Sequence, residues 1–224
     1  MPSGWPPFMR EDPVSSLMER LPVVFPELQF AALDADVVVG FVHAASFGWD
    51  GDRSSLPDRG WDAIILQAFR DHDRGNEPTA VTLLEAAVRP DRRGEGLSNA
   101  LLVGVRDRCR ELGYGALFGP VRPTQKSLEP TMPMTEYIAR MRSDGLPEDP
   151  WLRAHARLGA QIVGIASASM TIGGSLAQWR GWTGLPFDRS GDVIVSGALV
   201  PVHASVEHDH AVYVEPNVWM MHEL

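Results

Sequence analysis

The chain has 224 residues, 44% of them hydrophobic and 22% charged, which suits one sizeable core and is unlike a disordered chain. Its formal net charge of −9 argues against non-specific binding to nucleic acid or to an anionic membrane. The one cysteine, Cys109, excludes an intrachain disulfide, and without an apolar leader or a run of about 18 apolar residues a cytoplasmic protein is expected.

The first residues are rich in proline and tryptophan (Trp5, Pro6, Pro7, Pro13), and a short helical pattern follows over 14–21. LQFAALDADVVVGFVHAASF reads as two strands around a tight turn at 34–36, because β-branched and aromatic residues flank the acidic pair. SSLPDRGWDAIILQAFRDHDRG carries Trp61, Ile64, Ile65 and Phe69 at helical spacing and closes at Gly75. TAVTLLEAAV, residues 79–88, is a nearly continuous apolar run and predicts a strand covered on both faces. Leu97, Leu101, Val105, Cys109 and Leu112 then recur every three or four residues, predicting a helix over 94–112 capped by Gly113. GALFGPV predicts a further short strand, followed by a loop-rich insertion with a helix expected around 135–142. In DPWLRAHARLG, Asp149 suits an N-cap, Pro150 the first helical position and Gly159 the C-terminal cap. AQIVGIA predicts a strand, SLAQWRGWTG a short packing helix, and the remainder is again strand-like. Mixed elements with adjacent antiparallel strands fit neither a pure βαβ repeat nor a sandwich, so the fold class is α+β (mixed α/β).

The junction VRPDRRGEGLSNALL, residues 88–102, leads from the apolar strand through a charged glycine loop into the amphipathic helix. A helix start offers unpaired N–H groups and a positive dipole end, which suits phosphates. A dinucleotide-binding fingerprint fails because Asn99 stands at the third glycine position, and a P-loop fails because the only lysine, Lys126, lies elsewhere. The strand, the loop Arg93-Gly94-Glu95-Gly96-Leu97-Ser98, the helix and the next strand together resemble the acyl-CoA-binding core of the GNAT superfamily of N-acyltransferases. The loop of that superfamily reads Gln/Arg-x-x-Gly-x-Gly/Ala, and Ser98 replaces its last small residue here. MTEYIARMRSDGLPEDPWLRAHARLGA is similar to the GNAT domains fused to carbon–nitrogen hydrolases, through Tyr137, Gly145, Asp149-Pro150, Leu152 and Gly159.

The resemblance implies a single GNAT-like domain over 1–224, with a core at about 28–166, an insertion at 122–148 and a C-terminal extension at 167–224. It also implies a mostly antiparallel sheet, splayed at the acyl-CoA site, with helices on both faces. Its activity would be direct acyl transfer from acetyl-CoA or another acyl-CoA to the amine of a small molecule. Arg93, Gly94, Glu95, Gly96, Leu97 and Ser98 would cradle the pyrophosphate, glycine permitting close backbone approach. Ala86 and Val88 would pair the pantetheine arm, and backbone N–H groups around Ala87 and Val88 would polarise the thioester.

His155 stands where many members carry a tyrosine; it is either the general acid near neutral pH or a core-edge histidine with satisfied hydrogen bonds. Glu85 is the only carboxylate of the central strand and the candidate base. It points away from Val88, whose face Thr82 and Leu84 share, so an ordered-water relay is the alternative. His203, Glu207, His208 and His210 read as an exposed turn, and no metal is expected. The tryptophans are core by default, some lining an acceptor pocket, and the insertion at 132–141 is the natural lid. A homodimer is left open. The competing class is a GNAT-fold protein that binds or senses acyl-CoA without turnover.

Overall fold

The computed structural model describes residues 5–224. Eight strands form one sheet: β1 (Gln29–Asp34), β2 (Val37–Phe47), β3 (Ala80–Val88), β4 (Ala116–Val121), β5 (Gln161–Gly174), β6 (Gly191–Val193), β7 (Val202–Ser205) and β8 (His210–Glu223). The helices are α1 (Leu21–Val24), α2 (Gly60–Arg74), α3 (Leu97–Glu111), α4 (Met134–Ile138), α5 (Pro150–Arg157) and α6 (Leu176–Thr183). Gly75, at φ 67°, caps α2, and Gly113 closes α3 by turning the Tyr114 N–H back onto the Cys109 carbonyl. α2 packs on β2, β3, β5 and β8, while α3 covers the other face over β1 to β4.

Two irregularities position the site. β2 and β3 run antiparallel with His43 opposite Glu85 but Ala44 opposite Leu83, so Leu84 is an extra residue in β3. The Leu84 carbonyl accepts a hydrogen bond from Trp61 Nε1 at 2.8 Å, which satisfies this group from the α2 side. β3 and β4 pair in parallel only from Ala80–Ala116 to Thr82–Phe118. Beyond that the strands diverge: β4 continues against β8 while β3 keeps β2 alone, and Pro120 removes one ladder donor from β4 where the pairing stops. The result is a wedge between Leu83–Val88 and Gly119–Val121. A Cβ on Gly119 would lie 3.4 Å from Leu83 Cβ, so the wedge closes tightly at its apex.

Several expectations need correction. The strand expected at AQIVGIA continues through SASMTIGG as the 14-residue β5, because it pairs along β8 through two register shifts rather than ending at the small residues. β8 is central: β4 and β7 share one of its edges end to end, and β5 takes the other. The insertion helix spans only Met134–Ile138. Met134 and Tyr137 are buried in a second small core with Val121, Leu152, Leu199 and Val218. Lys126 fastens the same segment, its buried Nζ donating to the Glu129 and Leu199 carbonyls at 2.7 and 2.8 Å.

Candidate active site

The free edge of β3 supplies the donor side. The Arg89 N–H donates to the Val39 carbonyl at 2.9 Å. Antiparallel alternation then turns the backbone groups of Ala87 and Glu85 toward β2 as well, opposite Phe41 and His43. Ala86 and Val88 therefore present their N–H and C=O groups to the wedge. Of the two amides expected to polarise a thioester, that of Val88 faces the right way and that of Ala87 does not.

The loop after β3 supplies anion donors. Among the described residues, the amides of Gly94, Glu95, Gly96, Leu97, Ser98 and Asn99 have no backbone acceptor. Gly94 and Gly96 sit at φ 87° and 82°, a region that side chains disfavour, and Gly96 is the N-cap of α3. Arg92 is committed to Asp34 at 2.6 Å and to Glu95 at 2.8 Å, so Glu95 serves the loop's shape. Arg93 is exposed and makes no ion pair among the described residues, leaving its charge for a ligand. A run of free amides, an uncommitted guanidinium and an open strand edge fit a pyrophosphate with an amide-bearing arm.

A cavity of about 1110 Å³ passes through the wedge. It begins at Arg93 and Ser98, passes Ala86, Ala87 and Val88, and reaches Trp5 and Trp61 on the α2 side. Gly94, Glu95, Gly96 and Leu97 are not part of its lining and form the loop outside it. Trp5 and Trp61 meet edge to face at 5.5 Å, so the N-terminal segment walls the cavity where the sequence offered only aromatic composition.

α5 delivers His155. Asp149 caps the helix through Oδ1, accepting from the Trp151 and Leu152 amides at 2.9 and 3.1 Å. His155 lines the cavity, 1% exposed, with Nδ1 3.1 Å from Nε2 of His222 on β8. Its own Nε2 is buried without a partner. Burial, with His222 adding to it, pushes the His155 pKa down to about 3. The ring is therefore neutral near pH 7, and His155 offers a ligand a neutral ring N–H or a lone pair. Glu85 is half-buried, lines the same cavity, and points to the opposite face from Val88. Upstream, the Leu84 bulge resets the alternation, so Thr82, fully buried, does not share the face of Val88.

A buried polar cluster on the α2 side went unnoticed in the sequence. Glu215, fully buried on β8, accepts from Arg122 Nε at 2.9 and 3.1 Å, from the Tyr213 hydroxyl at 2.6 Å and from Asn217 Nδ2 at 3.0 Å. Arg122 Nη2 donates to the Gly197 carbonyl. Burial opposes the Arg122 charge, but Glu215 and Tyr213 together outweigh it and raise the pKa of Arg122. Burial first, then Glu215, pushes the Tyr213 hydroxyl far above its usual range. The signal was present: a lone glutamate in the apolar run AVYVEPNVWMMH is as costly as Glu85 in its own strand. His203 pairs with Asp192 and His208 with Ser205 on the surface. Among the described residues, no group of three or more His, Cys, Asp or Glu is placed to hold a metal.

No family model matches the sequence. The chain is 32% identical over 253 residues to the arginine N-acetyltransferase avaD of Aspergillus versicolor, covering 100% of this chain and 87% of that protein. It belongs to the GNAT superfamily of acyl-CoA-dependent N-acyltransferases. The fold agrees with the loading GNATL domain of CurA from Lyngbya majuscula, at a TM-score of 0.63, 18% identity, and coverage of 93% of this chain and 82% of that one. The GphF GNAT-like decarboxylase, solved in complex with isobutyryl-CoA, aligns at 0.56 and 18% identity over 93% of this chain and 84% of its own. This GNAT enzyme transfers an acyl group from an acyl-CoA to the amine of a small molecule. The wedge and the loop amides are the parts of its structure suited to the acyl-CoA.

Proposed function

We propose that the enzyme acetylates an arginine-like amino acid with acetyl-CoA as donor. The observation that carries this reading is one continuous cavity, with Arg93 and Ser98 at one end beside the loop amides, Val88 at its waist, and the Arg122–Glu215 cluster at the other. The tight apex at Leu83 and Gly119 favours a short acyl group. The relative named as an arginine N-acetyltransferase supports the acceptor class.

When bound, the thioester supplies an activated acyl carbon. The amides of residues 94–99 and Arg93 hold the pyrophosphate, and Ala86 and Val88 pair the pantetheine arm. Val88 N–H donates to the thioester oxygen as charge develops there. A water beside Glu85, or Glu85 itself, takes the proton of the ammonium so that the amine can attack. The new C–N bond forms, the C–S bond breaks, and the sulfur leaves as a thiolate. With His222 Nε2–H donating to His155 Nδ1, the proton of His155 lies on Nε2, from which it can hydrogen-bond the departing sulfur, and the thiolate takes its proton from solvent.

The test is CoA release from acetyl-CoA with and without L-arginine, with the product identified by mass. The reading requires one acetyl group added to arginine per CoA released. Arginine-independent thiol release, or none with arginine and related amino acids, would refute it.

A further inference from the structure

The acceptor end of the cavity holds a guanidinium with unused donors. Arg122 follows β4 directly and sits beside a gap in the edge of β8, between the residues paired to β4 and those paired to β7. Glu215 lies in that gap and holds Arg122 through Nε, while the Gly197 carbonyl holds Nη2. Among the described residues, Nη1 has no hydrogen-bond partner. The residue lines the cavity with 22% of its side chain exposed.

Its position is on the acceptor side. Gly197 packs against Pro6 so closely that a Cβ there would come within 2.8 Å of the proline ring. Pro6 and Trp5 line the cavity on the α2 side, opposite Arg93 and Ser98. The carboxylate of Glu215 is already saturated by Arg122, Tyr213 and Asn217, so it is not a receptor for a substrate cation. It fixes the guanidinium plane instead. A rigid fork with free N–H groups recognises a planar anion, and on a small amine acceptor that anion is a carboxylate.

We infer that Arg122, oriented by Glu215, binds the carboxylate of the acceptor and selects an amino acid over the corresponding amine or amide. This deepens the proposed function and rests on its acceptor class. Arg122 contacts substrate here, and Glu215 acts through it as a positioning residue.

The test compares L-arginine with argininamide and with agmatine, which lacks the carboxyl carbon. Each is titrated into enzyme saturated with CoA, and each is assayed for CoA release with acetyl-CoA. Wild-type enzyme should favour arginine by on the order of 10- to 100-fold in Kd and kcat/KM, the range of a charge-assisted hydrogen bond. Arg122→Lys, which keeps a cation beside Glu215, should lose most of that ratio. Glu215→Gln should raise KM for arginine with a smaller effect on kcat. Equal binding of arginine, argininamide and agmatine by wild-type enzyme overturns the inference without any variant having to fold. Selective binding of arginine without CoA release supports the carboxylate site while sinking the proposed reaction, so the two failures are distinct.

Discussion

Asp149 ties the insertion, α5 and the cavity wall together, and its removal makes a quantitative prediction. Its Oδ1 caps α5, while Oδ2 accepts from the Gln125 N–H and the Tyr137 hydroxyl, both at 2.9 Å. The residue is 3% exposed, so water reaches little of this cluster. Asp149→Ala loses a cap, about 1 kcal/mol, and strands two further donors at about 1–3 kcal/mol each. The expected cost is about 3–7 kcal/mol, or a Tm lower by roughly 6–28 °C for a domain of this size. Tyr137→Phe alone should cost about 1 kcal/mol, but should restore about 1–3 kcal/mol in the Asp149→Ala background, where it removes a stranded hydroxyl. Differential scanning fluorimetry of the two single variants and the double variant measures the cycle. An Asp149→Ala loss below about 1 kcal/mol, or strictly additive effects, would show that the cluster does not anchor the helix carrying His155.

Further outcomes concern the donor loop and three titrating groups. Gly96→Ala adds a Cβ at a positive φ beside the free amides, and should weaken CoA about tenfold by calorimetry; unchanged affinity would count against the loop as the cradle. Arg93→Ala should lower affinity and flatten its dependence on salt, and an unchanged salt slope would remove Arg93 from the site. Burial pushes His155 to about 3 and His222 to about 4, so both rings stay neutral and their NMR signals should not titrate between about pH 5 and 8; a midpoint near the ordinary histidine value refutes their burial. Asp12 and Asp62 are buried side by side, and burial raises both. A raised folded pKa contributes stability below the unfolded value and loses it as pH rises through the folded one, so wild-type stability should fall between about pH 4 and pH 7 and level off above that. Asp62→Asn should abolish that fall, and an identical pH dependence would refute the pairing.

What the sequence revealed was local. The helix over 97–111, the Asp149 cap and the glycine loop are set by neighbouring residues, and each is found where spacing and punctuation placed it. The central place of β8 was not legible, because strand order is decided by pairing across the whole chain. The bulge at Leu84 is a one-residue slip in a run too uniformly apolar to mark it, and it reset the face assigned to Thr82. The two clusters that shape the chemistry join residues 93 and 67 positions apart, Arg122 with Glu215 and His155 with His222. Composition flagged each buried polar residue as costly, but only the fold shows which partner satisfies it.

Amide hydrogen exchange with and without acetyl-CoA reaches the central claim most directly, because the proposed donor contacts are backbone N–H groups. Saturating acetyl-CoA should slow exchange at Ala86, at Val88 and across residues 94–99, and leave Ala87, already bonded to β2, unchanged. Binding that protects none of these amides, or protects a different surface, would contradict the assignment of the wedge and loop as the acyl-CoA site.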